Sequence, residues 1–179
     1  MPAPHILVVG GTGMLRGLVE ALAGDGGRLS LVSRQASAFA CAGVSGFDAD
    51  YYDEAAFVSA LDAAGPSDLA VAWFHSEKIP AARRLAERVG GVGAPGRLFQ
   101  VLGSATGDPA HPDRLATAAA VAEGLPNCRV RQVVLGFRVS SGRSRWLTNE
   151  EISAGVLEAV RTDRTYSVVG QVEPRSARP

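Results

Sequence analysis

Apolar positions along this chain follow two alternating rhythms. Short, nearly continuous apolar runs are each followed by a longer stretch in which apolar residues recur every three or four positions. The first rhythm predicts strands covered on both faces, the second amphipathic helices. Ile6 to Val9 is the first strand, and Leu15, Leu18, Val19 and Leu22 form the first helical stripe. Arg28 to Ser33 is a second strand, the alanine-rich 36–42 a short helix, and Val44 to Ala49 a third strand ending at Asp50. Asp53 to Ala64 places Phe57, Leu61 and Ala64 on one helix face and stops at Gly65-Pro66. Asp68 to Phe74 is a fourth strand, followed by a stripe of Ile79, Ala82, Leu85, Ala86 and Val89. Arg97 to Leu102 is a fifth strand, Asp113 to Glu123 an alanine-rich helix, and Arg129 to Phe137 a sixth strand. Thr148 with Glu151 three residues on reads as a capping box, opening a helix with Ile152, Val156, Ala159 and Val160 inward. Tyr166 to Val169 is the last strand.

Strand and helix alternate with short loops and no linker or internal repeat. The fold class is therefore α/β, a three-layer, doubly wound parallel sheet of about seven strands joined by right-handed crossovers. Residues 1–173 read as a single domain and 174–179 as a C-terminal tail. In such sheets ligands lie at the carboxyl ends of the strands. Those ends are Gly10 to Leu15, Ser33-Arg34, Asp50-Tyr51, Phe74 to Ser76, Ser104-Ala105 and Gly136-Phe137.

The first of them stands out. Four apolar residues run into Gly10-Gly11-Thr12-Gly13, and a helix follows at once. A strand breaking into glycines before a helix leaves backbone N–H groups and the positive end of the helix dipole facing outward, which suits a pyrophosphate. Gly10, Gly11, Thr12, Gly13, Met14 and Leu15 are the candidate phosphate-binding residues. The second strand bears on the nucleotide. An NAD site places an acid about 20 residues past the glycines, on the ribose 2′-hydroxyl. Here Ser33 and Arg34 stand instead, a pair that suits a 2′-phosphate and therefore NADP(H). Asp50 could accept from the adenine amino group or cap the next helix, a role that suits Asp53 better; Tyr51 adjoins it. Trp73 and Phe74 could floor the nicotinamide ribose or sit in the core. His75 could move protons near neutral pH or merely bond backbone, and Ser104 has the same standing. His111 reads as a solvated loop residue, and Arg143 and Arg145 as a loop that could meet an anionic substrate or a partner subunit, more simply water.

Bulk composition narrows the classes. The 179 residues are 46% hydrophobic and 20% charged, ordinary globular values. Eighteen acids balance 18 bases, so no net field attracts nucleic acid or a membrane surface. No apolar run is long enough to span a bilayer. Cys41 and Cys128 lack metal-ligand spacing and read as reduced, buried thiols of a cytoplasmic protein, with no metal expected.

These residues resemble the short-chain dehydrogenase/reductase superfamily over most of the chain, in its atypical branch. VVGGTGML, the SR after the second strand, DADYYD at the third and VLGSA at the fifth carry the likeness. The resemblance implies a Rossmann fold that binds NAD(P). It implies Ser33 and Arg34 on the 2′-phosphate, Asp50 on the adenine, and Ser104 as the serine that polarises a substrate carbonyl. Gly10 and Gly13 match the family's G-x-x-G-x-x-G, while Arg16 holds the third glycine position and Gly17 follows; Arg16 there is a candidate for a phosphate contact. The family's proton donor, a tyrosine with lysine four residues on, is missing. Tyr51, Tyr52 and Tyr166 are followed at that spacing by Ala55, Ala56 and Gly170, and 113–123 holds neither residue. WFHS stands where the family's NNAG would follow the fourth strand. The expected function is an NADP(H)-dependent oxidoreductase acting on a small-molecule carbonyl, with His75 in place of the tyrosine. A non-catalytic NADP(H)-binding redox sensor is the alternative, and a flavin reductase would use the same cleft. A homo-oligomer accords with the resemblance.

Overall fold

The computed structural model describes residues 3–74, 79–91, 94–106, 108 and 111–179. Its strands and helices, in chain order, are β1 (His5–Val9), α1 (Arg16–Gly24), β2 (Arg28–Ser33), β3 (Val44–Asp48), α2 (Glu54–Ala64), β4 (Leu69–Trp73), α3 (Ile79–Ala86), β5 (Gly96–Leu102), α4 (Asp113–Ala119), β6 (Cys128–Leu135), β7 (Phe137–Ser140), β8 (Arg143–Trp146), α5 (Asn149–Thr162) and β9 (Tyr166–Val169). Seven strands form one parallel sheet in the order β3-β2-β1-β4-β5-β6-β9. The order reverses between β1 and β4, and a crevice opens at such a switch point.

Period-two alternation sorts the strand residues between two apolar layers. Val8, Leu31, Val71, Phe99 and Val133 face α1 and α5, whose Leu18, Val19, Val156 and Val160 complete one core. Leu7, Val9, Val32, Ala70 and Leu98 face α2 and α3, which supply Phe57, Leu61, Ala82 and Leu85. Most of these side chains are wholly buried, each valine, leucine or phenylalanine contributing about 1.5–3 kcal/mol relative to exposure. Loss of Leu18 to alanine would cost about 3 kcal/mol, because the cavity left between α1 and the sheet cannot collapse.

The two ends of the sheet differ. At the amino ends, buried His5 bonds the Pro66 carbonyl through Nδ1 (2.6 Å) and the Ser30 hydroxyl through Nε2 (2.8 Å). Its backbone N–H donates to Asp68, and Arg28 closes on the Ala64 carbonyl. Burial holds the His5 pKa below its ordinary value. That end is sealed by polar bonds, while the carboxyl ends open into a cleft.

Several expectations need correction. Residues 36–42 form turns and no helix. Asp48 accepts from both the backbone N–H (2.8 Å) and the hydroxyl of Ser37, which ties the segment to β3. Gly46 runs so close beneath the Ala36 carbonyl that any side chain there would collide with it. The sixth strand stops at Leu135. Phe137 begins a separate antiparallel hairpin, β7–β8, so Arg143 and Arg145 lie on a strand. Arg145 is not merely solvated, since it grips the Glu151 carboxylate through both terminal nitrogens (2.8 and 2.9 Å). Cys128 is buried, and burial pushes its thiol up to about 11, but Cys41 is only half-buried. The 174–179 tail is ordered against the body of the protein by an ion pair from Arg175 to Asp108 (2.7 Å). Among the described residues no helix is long and apolar enough to cross a membrane.

Candidate functional site

The glycine turn is shaped by what touches it. Gly10 has φ +79°, where a side chain would be strained, and a Cβ would stand 3.3 Å from the Trp73 carbonyl. Its N–H donates to the Val32 carbonyl (3.0 Å), locking the turn to β2. Gly11 is buried, and a Cβ there would press on Leu31, Val19 and Val8 at 2.7–2.9 Å. Close packing of helix on strands, which the family pattern assigns to its third glycine, is met here by Gly11. Gly13 is the opposite case: nothing lies within 4 Å of where its Cβ would be.

Helix α1 then starts at Arg16 with no side-chain cap and no acid in its first turn. Its orphan N–H groups are therefore not taken by a capping side chain. Ser153 of α5 donates to the Met14 carbonyl (2.8 Å), pinning the turn from behind. Arg16 does not reach for a phosphate. Its guanidinium pairs with Glu20 (2.8 Å) and lies over the Phe39 ring (5.0 Å), outside the cleft.

The turn opens into a cavity of about 730 Å³, within the range of small-molecule sites. Gly10, Thr12, Gly13 and Met14 line it centrally; Ser33, Arg34, Asp50 and Tyr51 line one end, and Trp73 a further wall. Three of the candidate residues stay out of it: Gly11 is buried beneath, Leu15 is wholly within the core, and Phe74 packs edge-on against Tyr51 and Phe57. Gln35, Tyr52 and Phe57, which no motif in the sequence marks as site residues, also line the cavity. The stacking of Tyr52 on Tyr51 (4.9 Å) was signalled by their adjacency.

Charge in this cavity is sparse. Arg34 is exposed and makes no ion pair among the described residues, and Asp50 is the single acid among the described lining residues. One oxygen of Asp50 accepts from the Tyr52 N–H (3.0 Å), while Asp53 accepts from Ala56 and caps α2. Asp50 is thereby left out of the cap.

Trp73 is shared with a second, smaller pocket of about 300 Å³. Ser104, Leu135, Trp146, Leu147, Ile152 and Arg178 line it. The Ser104 hydroxyl has no hydrogen-bond partner among the described residues. His75 lies outside the described residues. Helix α4, in the 113–123 segment, is a short helix with no buried residue.

No protein-family model and no curated protein matches the chain in sequence. Solved structures do match in shape. BdcA, a protein of E. coli, in complex with NADPH superposes with a TM-score of 0.65 at 14% identity, over 96% of this chain and 95% of that one. A short-chain dehydrogenase from Burkholderia cenocepacia in complex with NADP gives 0.66 at 17%, over 98% and 92%. The 3-ketoacyl-(acyl-carrier-protein) reductase of Brucella melitensis complexed with NADH gives 0.63 at 15%, over 93% and 96%. The chain shares the α/β fold of these structures. Within that fold, the larger cavity lies at the switch point beside the first glycine turn, and Ser104 follows β5 at the wall of the smaller pocket.

Proposed function

We propose that this protein binds NADP(H) in the larger cavity and uses it in an oxidoreduction of a small carbonyl compound in the smaller pocket. The observation that carries the reading is the continuity of one cavity from the uncapped α1 turn to the unpaired Arg34. The residues present fit the dinucleotide. Open space at Gly13 and the free end of α1 suit its diphosphate. Arg34 with Ser33 suits the 2′-phosphate, and Asp50 and the tyrosine pair suit the adenine. The nucleotide-bound structures that share this fold support nicotinamide dinucleotides as the ligand class.

When bound, the cofactor supplies or accepts a hydride. The chain's own residues position the partner. Ser104 donates a hydrogen bond to the substrate carbonyl, Trp73 lines both compartments, and the apolar walls exclude water. His75 is the proposed proton donor. Calorimetry tests the cofactor assignment: NADPH binds more tightly than NADH, and Arg34→Glu reverses the order by about tenfold or more. Equal affinity for both would overturn it. NADPH oxidation against carbonyl, quinone and flavin acceptors tests the chemistry. Ser104→Ala abolishes turnover at unchanged NADPH affinity, and retained turnover removes Ser104 from the reaction.

One observation favours the alternative of a non-catalytic NADP(H) sensor. The 113–123 segment carries no tyrosine or lysine, and α4 buries no residue. Binding of NADPH with no turnover on any acceptor would select that reading.

A further inference from the structure

The smaller pocket has a chemistry of its own. Its walls are the indoles of Trp73 and Trp146 and the side chains of Leu135, Leu147 and Ile152. Against this apolar lining stand one hydroxyl, Ser104, and one charge, Arg178. Trp146 is 47% exposed, a large aromatic surface left facing the pocket and solvent.

Arg178 is held there by structure on both sides. Gln171 pairs with Phe137 through two backbone hydrogen bonds (2.9 Å each), which fixes the chain as it leaves β9. Residues 175–177 then form a 3-10 turn. Arg175 is anchored to the Asp108 carboxylate (2.7 Å), whose side chain is only 6% exposed. The Arg178 guanidinium consequently lies over the Trp146 ring, 5.2 Å from its centroid. The two arginines of this strap differ: Arg175 has its carboxylate, and Arg178 has none among the described residues. A guanidinium resting on an indole keeps its N–H fork directed outward from the ring edge, so it can still take a carboxylate through two parallel bonds.

We propose that the smaller pocket binds a planar, largely apolar molecule carrying one carboxylate, with Arg178 as the residue that selects the anion. The ring or short apolar body lies against Trp73 and Trp146, and the carboxylate meets Arg178. A volume of about 300 Å³ suits a one- or two-ring molecule, since a cavity of about 150 Å³ accepts benzene. The assignment of this molecule as substrate rests on the oxidoreductase reading; the binding itself does not. Charge complementarity decides the class, because an apolar pocket with a lone cation at its rim rejects neutral and cationic analogues of the same shape less by fit than by charge.

The test uses the whole 179-residue chain with benzoate, benzyl alcohol and benzylammonium as probes of similar size, followed by calorimetry. Both tryptophans of the chain wall the pocket, so quenching of intrinsic fluorescence reads occupancy in parallel. Benzoate binds at least about tenfold more tightly than benzyl alcohol, and Arg178→Gln removes that preference. Arg178→Glu, an exposed substitution that leaves the core untouched, turns the preference toward benzylammonium. NADPH affinity, measured on the same samples, stays unchanged in both variants. Equal binding of the acid and the alcohol, or benzoate affinity unaffected by Arg178→Gln, overturns the proposal, as does failure of benzoate to bind the wild type. Benzoate binding with no NADPH binding would support this pocket assignment while overturning the cofactor reading. NADPH binding without benzoate binding would do the reverse.

Discussion

Helices α1 and α5 lie side by side on the same face of the sheet, and their amino ends are opposites. At α5, Thr148 accepts the Glu151 N–H (3.2 Å) and Glu151 accepts the Thr148 N–H (2.9 Å), a complete capping box. Glu150 and Glu151 place negative charge at the positive end of the dipole, and Arg138 and Arg145 reach from the β7–β8 hairpin to clamp Glu151. At α1 there is no cap, no acid in the first turn, and a cavity in front. Gly17 of α1 sits close to Ser153 of α5, and Ser153 holds the Met14 carbonyl, so the sealed helix supports the open one. A helix end closed by its own side chains contributes to stability. One left open beside glycines keeps its donors for a ligand, at the cost of the missing cap.

The contrast can be broken most forcefully at Gly13. Gly13→Asp introduces a carboxylate where a Cβ meets nothing within 4 Å, so the fold tolerates it and α1 gains an acid near its N-terminus. The diphosphate is repelled by the same charge. NADPH affinity should fall on the order of 100-fold while the melting temperature stays level or rises, as titration and a thermal melt would show. Undiminished affinity would mean that the open end of α1 does not carry the ligand.

The reciprocal change at α5 is smaller. Thr148→Ala removes one half of the capping box and should lower unfolding free energy by about 1 kcal/mol in denaturant titration, with NADPH affinity unchanged. Loss of affinity in step with stability would show that the two ends are not independent.

Smallest is the effect of acid. Hydrogen bonds from Arg145, then from the Thr148 backbone, hold the Glu151 carboxyl at about 2, against an ordinary 4.5. Its folded-state pKa is depressed, so the stabilisation is complete above pH 4.5 and is lost as pH falls toward 2. Glu151→Gln should flatten that part of the stability curve, as melts across this interval would reveal. The group is partly open to solvent, so salt should shrink the difference.

Much of this molecule was written locally. The alternation of apolar runs and helical stripes specified every strand of the main sheet, because burial on one or both faces imposes periods that neighbouring residues alone reveal. Thr148 and Glu151 spelled out their own cap, and Gly10 its turn, for the same reason. Ser33 and Arg34 were legible as a pair at a strand end. What only the tertiary structure decided involves partners far apart in the chain. Ser37 gives its N–H to Asp48 and so abandons a helix that its alanines favoured. Arg143 and Arg145 lie on a hairpin whose Arg138 and Arg145 reach Glu151 of α5. Gly11 takes up the packing that the motif assigns elsewhere because Val19 and Leu31 converge on it. The strap at 174–179 is held at two distant points, Arg175 on Asp108 and Arg178 on Trp146. Periodicity encodes which face of an element is apolar, but the meeting of two elements depends on chain closure over long separations, which no window of sequence contains.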